Sequence, residues 1–190
     1  MDSDTASVLL VEDEPDLAEL YASWLEDAYH VETVRDVATA RAVDDRVDVV
    51  VVDGRPDGGA AELNDVGGDR DAVPTVVVTG TEPDTPDAAV DDYLLKPVSR
   101  TELRASVETQ LLRRRYSEQL ETYFELASKR ATLSRRLSEA ELRSSQEYAE
   151  LEDRIAVLRT KIDETRTRLL DQDEHQQLYW EVSVASDSVN

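Results

Sequence analysis

The chain has 190 residues and carries 43 acidic against 21 basic side chains, a formal net charge of -22. A field of that sign repels a phosphate backbone and disfavours unaided nucleic-acid binding at ordinary salt, and the absence of cysteine excludes disulfide frameworks, thiolate metal sites and cysteine nucleophiles. No apolar run approaches the roughly 20 residues that cross a bilayer, and "MDSDTAS" at residues 1–7 lacks the basic flank and apolar stretch of a signal peptide, so a soluble cytoplasmic protein is expected.

The charge is unevenly spread. Residues 1–100 hold 25 acidic and 7 basic side chains, whereas residues 101–190 hold 18 and 14, which implies two differently built segments. Length allows one core domain of about 120 residues plus an appendage. Disorder of the whole chain conflicts with 40% hydrophobic residues set in strand and helix patterns.

In chain order, "SVLLV" (7–11) predicts a first strand and runs straight into Glu12, Asp13 and Glu14. Carboxylates crowded at one point repel one another, and desolvation raises that cost, so a cation is expected beside them. Behind Pro15, a favourable first-turn residue, Leu17, Leu20, Tyr21, Trp24 and Leu25 recur at helical spacing. "HVETV" (30–34) predicts the second strand, and Val37, Ala40 and Val43 a weaker helical stripe. "DVVVVD" (48–53), "PTVVVTG" (74–80) and "YLLK" (93–96) supply three further strands. Runs apolar at consecutive positions suit strands covered on both faces, and the βαβα order predicts a doubly wound parallel five-stranded sheet whose site lies at the strand carboxyl ends. Two stretches between strands are poor in helix formers: residues 57–74 are glycine-rich, and 80–92 contain Pro83 and Pro86, leaving room for about two helical turns.

The strand ends converge on one chemistry. Asp53 closes the third strand, Thr79 the fourth, and Lys96 the fifth, ahead of Pro97. With Glu12 and Asp13 they put three carboxylates, one hydroxyl and one ammonium on one rim. Oxygen ligands from a few carboxylates, with water completing the shell, suit Mg2+ better than a transition metal. An aspartate beside such an ion can attack phosphorus while lysine, hydroxyl and metal neutralise the equatorial oxygens.

"VLLVEDEPD", "VVVVDGRP", "VVVTG" and "YLLKP", in this order, resemble the receiver domain of two-component response regulators, over about residues 6–110. That resemblance implies a flavodoxin-like receiver fold, with Asp53 as phospho-acceptor and Asp13 as a direct Mg2+ ligand. It further implies Glu12 as holder of a metal-bound water, the backbone carbonyl of Arg55 as a ligand, and Thr79 and Lys96 as the phosphate-sensing pair. Tyr93 would be the switch aromatic, Lys96-Pro97 a cis bond, and a sensor histidine kinase the phosphoryl donor. The sequence departs from the family where Pro56 follows the acceptor one position early, and where 54–74 and 80–92 are poor in helix.

The second half begins with Ser99 and Glu102 at capping-box spacing. No glycine or proline follows residue 98, so long helices are expected. Leu126, Leu133, Leu137 and Ala140 form a rough seam, and Ser144 with Glu147 predicts a helix start. From there Tyr148, Leu151, Ile155, Leu158, Ile162, Thr165 and Leu169 keep heptad spacing and demand a partner helix, supplied by a hairpin within the chain or by the same helix of a second chain as a coiled coil. "YSEQLETYFELASKRATL" with this helix behind it resembles the HalX domain of haloarchaeal regulators, over residues 111–175, leaving 176–190 as a frayed tail. The acid-rich surface with three lysines is similar to that of halophilic cytoplasmic proteins.

The expected function is that of a response regulator in a phosphorelay, phosphorylated on Asp53 and signalling through helical protein-protein contacts, with a possible homodimer through the C-terminal helices. A degenerate receiver serving as a phosphorylation-independent scaffold is the alternative. A DNA-binding regulator stands third, because arginine clusters at 113–115 and 135–136 are interleaved with acids and no helix-turn-helix follows. Enzymatic turnover of small metabolites is not expected, since no nucleophile other than Asp53 is positioned.

Overall fold

A computed structural model describes residues 5–43, 47–54, 73–81 and 90–187, with side chains described through residue 172. The stretches expected to hold weak third and fourth helices, at 57–72 and 82–89, lie outside the described residues, as do Arg55 and Pro56. By compactness the chain divides into one unit through Leu111 and a second from Leu112.

In the first unit, strands Ser7–Val11 (β1), His30–Val34 (β2), Val49–Asp53 (β3), Thr75–Thr79 (β4) and Asp92–Leu95 (β5) form one sheet. All four pairings are parallel, in the order β2-β1-β3-β4-β5. Successive side chains alternate between faces, so the consecutive apolar runs divide between two cores. Val8, Leu10, Val49, Val51, Val76 and Val78 face one way, against Tyr21, Ala22 and Leu25 of helix Pro15–Leu25 (α1) and Leu103 and Val107 of helix Arg100–Arg136 (α3). Leu9, Val11, Val50 and Val52 face the other way, against Ala40 of the short helix Val37–Ala40 (α2). Both faces are covered, which is why these strands show no polar alternation.

Local signals set the helix starts. Pro15 occupies the first turn of α1, and the Asp36 carboxylate accepts the Thr39 N–H at 2.7 Å to cap α2. Ser99 and Glu102 form the expected reciprocal cap of α3: the Ser99 N–H donates to Glu102 Oε2 at 2.7 Å, and the Glu102 N–H to Ser99 Oγ at 3.3 Å. One assignment in the α1 stripe needs correction. Leu20 is 41% exposed, and Ala18 and Ala22 take inward positions in its place, because residues this small let the helix approach the sheet.

The second unit is a helical hairpin. α3 runs to Arg136, Glu139–Ser144 forms a one-turn-and-a-half α4, and Gln146–Asp187 forms α5. The seam holds more residues than the four expected. Leu112, Tyr116, Gln119, Tyr123, Leu126, Arg130, Leu133 and Leu137 are all buried or half-buried at alternating spacings of 4 and 3, while Ala140, assigned to the seam, is exposed. On α5 the whole stripe from Tyr148 to Leu169 is buried or half-buried. Lys129 pairs with Glu147 at 2.9 Å, Arg130 with Glu152 at 3.5 Å, and Arg159 donates to the Tyr123 hydroxyl at 2.8 Å. Partners run in opposite directions along the two helices, so the stripe finds its partner antiparallel within the same chain.

Two further corrections concern helix ends. The break expected at Ser144 and Glu147 is built differently: Ser138 and Glu141 form a full capping box, and Ser145, one residue later than expected, accepts the Tyr148 N–H at 3.2 Å. The segment expected to be a frayed tail is helical through Asp187, because nothing in it, neither glycine nor proline, stops α5.

Candidate functional site

The sheet register brings its carboxyl ends level. Val11 pairs with Val52, Asp53 with Val78, and Thr79 with Leu95, so the residues that end or follow β1, β3, β4 and β5 share one rim. There they line a cleft of about 680 Å³ that includes Glu12, Asp13, Asp53, Thr79, Tyr93 and Lys96. Each sequence-assigned residue among those described is therefore on this cleft, and Arg55 is outside them.

Asp53 and Lys96 meet directly, with Lys96 Nζ 2.5 Å from Asp53 Oδ2. The lysine's own N–H donates to the Thr79 carbonyl at 2.8 Å, which holds its backbone against the end of β4. The peptide that follows, Lys96-Pro97, is cis, as expected. Burial lowers the ammonium pKa, and the hydrogen bond and charge of Asp53 outweigh it, so the net shift is upward and Lys96 is cationic at neutral pH.

Glu12 is the strained member. It is 3% exposed, its Oε1 accepts the Glu14 N–H at 2.9 Å, and its Oε2 is buried without a hydrogen-bond partner. Burial, then the adjacent Asp53 carboxylate, raise its pKa to about 7. Two neighbouring carboxylates have no proton donor between them unless one is protonated, which is why a buried Glu12 oxygen remains unsatisfied. Asp13 is exposed, at the mouth. The exposed Glu14, the third acid of the run, serves as the N-cap residue of α1 and lends no side-chain cap.

Thr79 is 1% exposed and its hydroxyl is engaged locally, donating to the Thr81 carbonyl at 3.1 Å and accepting the Thr81 N–H at 3.3 Å. Tyr93 is half-buried on the same cleft. Arg35, Asp36 and Thr81 also line it and were missed from sequence. Arg35 and Asp36 directly follow β2, so the rule that placed Asp53 and Thr79 at strand ends would have found them too.

An orphaned buried carboxylate oxygen beside two more carboxylates is a donor set for a hard divalent cation. Among the described residues no cluster of three acidic or imidazole groups closes tightly enough to hold an ion with side chains alone. A bound ion would therefore draw on water and main-chain oxygen as well, a shell that suits Mg2+. Glu12, Asp13 and Asp53 are the residues that would hold it.

Residues 112–179 match the family model described as the HalX domain. A protein of Haloferax volcanii named "Putative transcriptional regulator" is 34% identical over 163 residues, which is 81% of this chain and 27% of the relative, so the chain spans about a quarter of that protein's length. Among solved structures, NtrX from Brucella abortus superposes with a TM-score of 0.54 at 26% identity, covering 62% of this chain and 29% of that one. The CheY-like response regulator receiver domain protein from Methanospirillum hungatei superposes with a TM-score of 0.50 at 22% identity, covering 57% of this chain and 94% of that one. No helix among the described residues is long and apolar enough to cross a membrane.

Proposed function

Starting from a chain that is a CheY-like receiver fold followed by a HalX domain, we propose a response regulator that accepts a phosphoryl group on Asp53 from a histidine kinase. The signal then passes on through contacts of its helical half. One observation carries this reading: Asp53 and Lys96 in contact at 2.5 Å in a cleft that also holds the buried, unsatisfied Glu12.

The chain's own groups account for the step. An Asp53 carboxylate oxygen attacks phosphorus, the bond from phosphorus to the donor's nitrogen breaks, and the departing imidazole takes up a proton. Lys96 holds the carboxylate in place beforehand. Once the oxygen is phosphorylated, Lys96 can transfer its ion pair to a phosphoryl oxygen without leaving the cleft. Thr79 must give up its bond to the Thr81 carbonyl to donate to another phosphoryl oxygen, so the loop at residue 81 is coupled to the state of Asp53. Tyr93 sits on the same cleft to register that exchange. Mg2+, when bound, would neutralise charge between Glu12, Asp13, Asp53 and the phosphoryl group.

Incubation with a small phosphodonor and Mg2+ in high salt should add one phosphate by intact mass, and Asp53→Asn should abolish it. A wild-type mass that stays unmodified would exclude the phosphorelay reading and leave the constitutive scaffold. The name of the Haloferax volcanii relative favours a second reading, a transcriptional role. Salt-dependent retention of duplex DNA by the purified chain would support direct binding, and its absence would assign any such role to a partner protein.

A further inference from the structure

Helix α3 carries a second stripe beside the one that meets α5. Ser117, Leu120, Phe124, Ala127, Ala131 and Ser134 repeat at alternating spacings of 3 and 4, the periodicity that presents one face to a neighbouring helix. None is charged, in a chain that is 34% charged. The adjoining flank of the helix, on the side away from the seam, is the reverse, with Glu118, Glu121 and Glu125 in succession. α5 does not cover this second stripe. Phe124 is 65% exposed, Ala131 and both serines are exposed, and only Leu120 and Ala127, next to the seam, are half-buried. The flank of α5 that carries Glu152 and Arg159 adds two exposed small residues, Ala149 and Ala156, while Lys129 and Glu147 pair on the other side.

We propose that this face of the hairpin binds the same face of a second copy of the chain. The stripe fits itself. Turned end for end about its midpoint, it sets Phe124 against Ala127, Leu120 against Ala131 and Ser117 against Ser134, so each bulky side chain meets an alanine and the polar ends meet each other. A two-fold contact requires that knob and hole lie on one patch, and here they do. The stripe also limits the repulsion between two copies. Two chains of net charge -22 repel wherever acids meet, and the α3 stripe brings no acid of its own to the contact, while Glu152 beside it on α5 is paired with Arg130. It spans roughly 25 Å of helix, enough for a row of helix-helix contacts. The inference deepens the reading of the helical half as the output element and does not require phosphorylation.

Light scattering of the full chain in high salt should give twice the chain mass, with association weakening as salt is lowered, because unscreened repulsion grows. Phe124→Glu should raise the dissociation constant by about 30-fold or more with far-ultraviolet circular dichroism unchanged, while Phe124→Leu should stay dimeric. The chain lacks cysteine, so Ala127→Cys can be tested with a short bis-maleimide and should cross-link, whereas Thr122→Cys on the far flank should not. Cross-linking also decides the matter if Phe124→Glu fails to fold. A monomeric wild type, a Phe124→Glu variant that stays dimeric, or equal cross-linking from both positions would overturn the proposal. Asp53→Asn should remain dimeric even where it abolishes phosphate uptake, which separates this result from the phosphorelay.

Discussion

The sheet unit and the helical hairpin are built to different depths. In the sheet, Leu9, Leu10, Val49, Val50, Val51, Val76 and Val78 are all buried to within about 1% exposure, because α1 and α3 close one face and α2 helps to close the other. In the hairpin only Leu112, Leu151, Ile155 and Thr165 among the described residues reach burial, and most of the seam stays half in water. The first unit can hold crowded carboxylates under strain because the strands behind them are fully buried. The second has apolar surface left over, which is what an element that binds something else requires.

If that contrast is right, equal truncations should cost unequal amounts. Leu10→Ala should destabilise the sheet unit by roughly 2–5 kcal/mol, and Leu158→Ala, half-buried on α5, should cost the hairpin about 1 kcal/mol. Urea titrations followed by far-ultraviolet circular dichroism would compare them. Equal costs would show that the seam is packed as tightly as the sheet.

The strain at Glu12 gives the next effect, of at most about 3 kcal/mol for a shift of this size. Its pKa in the fold, about 7, lies above its ordinary value of 4.5, so the folded state holds the proton where the unfolded chain has released it. Stability from this group is full below about pH 4 and is lost as pH rises through 7. Without divalent ions the sheet unit should thus weaken between pH 5 and 8, and Glu12→Gln should flatten that slope. Mg2+ should restore stability at pH 8 in the wild type but far less in Glu12→Gln. A wild-type melting temperature that does not respond to pH or Mg2+ would remove Glu12 from the proposed metal site.

Why the sheet and its rim were readable from sequence follows from their construction. A strand covered on both faces needs consecutive apolar residues, so "VVVVD" and "TVVVT" announce β3 and β4, and the polar residue ending each run has to lie at the carboxyl edge where the cleft is. Helix starts in the hairpin were less readable. Ser138 with Glu141 and Ser144 with Glu147 both satisfy the capping-box spacing, and only the packing of Leu137 and Tyr148 on the seam decides that Ser138 and Ser145 are the caps. Leu20 was misassigned because helical spacing cannot say which of two adjacent rows faces the sheet, and the alanines beside it won. Thr81 escaped notice because it is an ordinary turn residue until the sheet register brings it to the cleft, whereas Arg35 directly follows β2 and was within reach of the strand-end rule.

The caps give a third test, which sharpens the difference in the hairpin itself. Ser138→Ala removes a reciprocal cap that satisfies two N–H groups and should cost about 1 kcal/mol. Loss of helical signal confined to the hairpin, with the sheet transition unmoved, is the expected result.

The smallest effect should come from the contact that fixes the hairpin's register. The Arg159 guanidinium lies 5.5 Å from the Tyr123 ring centroid and donates to its hydroxyl at 2.8 Å, although both side chains are near the surface. Arg159→Lys keeps the charge but loses the planar stack and the paired donors, and should lower the hairpin's melting temperature slightly. Arg143→Lys, whose partner Glu139 is as exposed as itself, should cost nothing measurable. If the two substitutions prove equal, Arg159 is only a surface ion and the antiparallel register rests on the Leu151 and Ile155 seam, because a heptad row can slip by one repeat without changing which side chains are apolar.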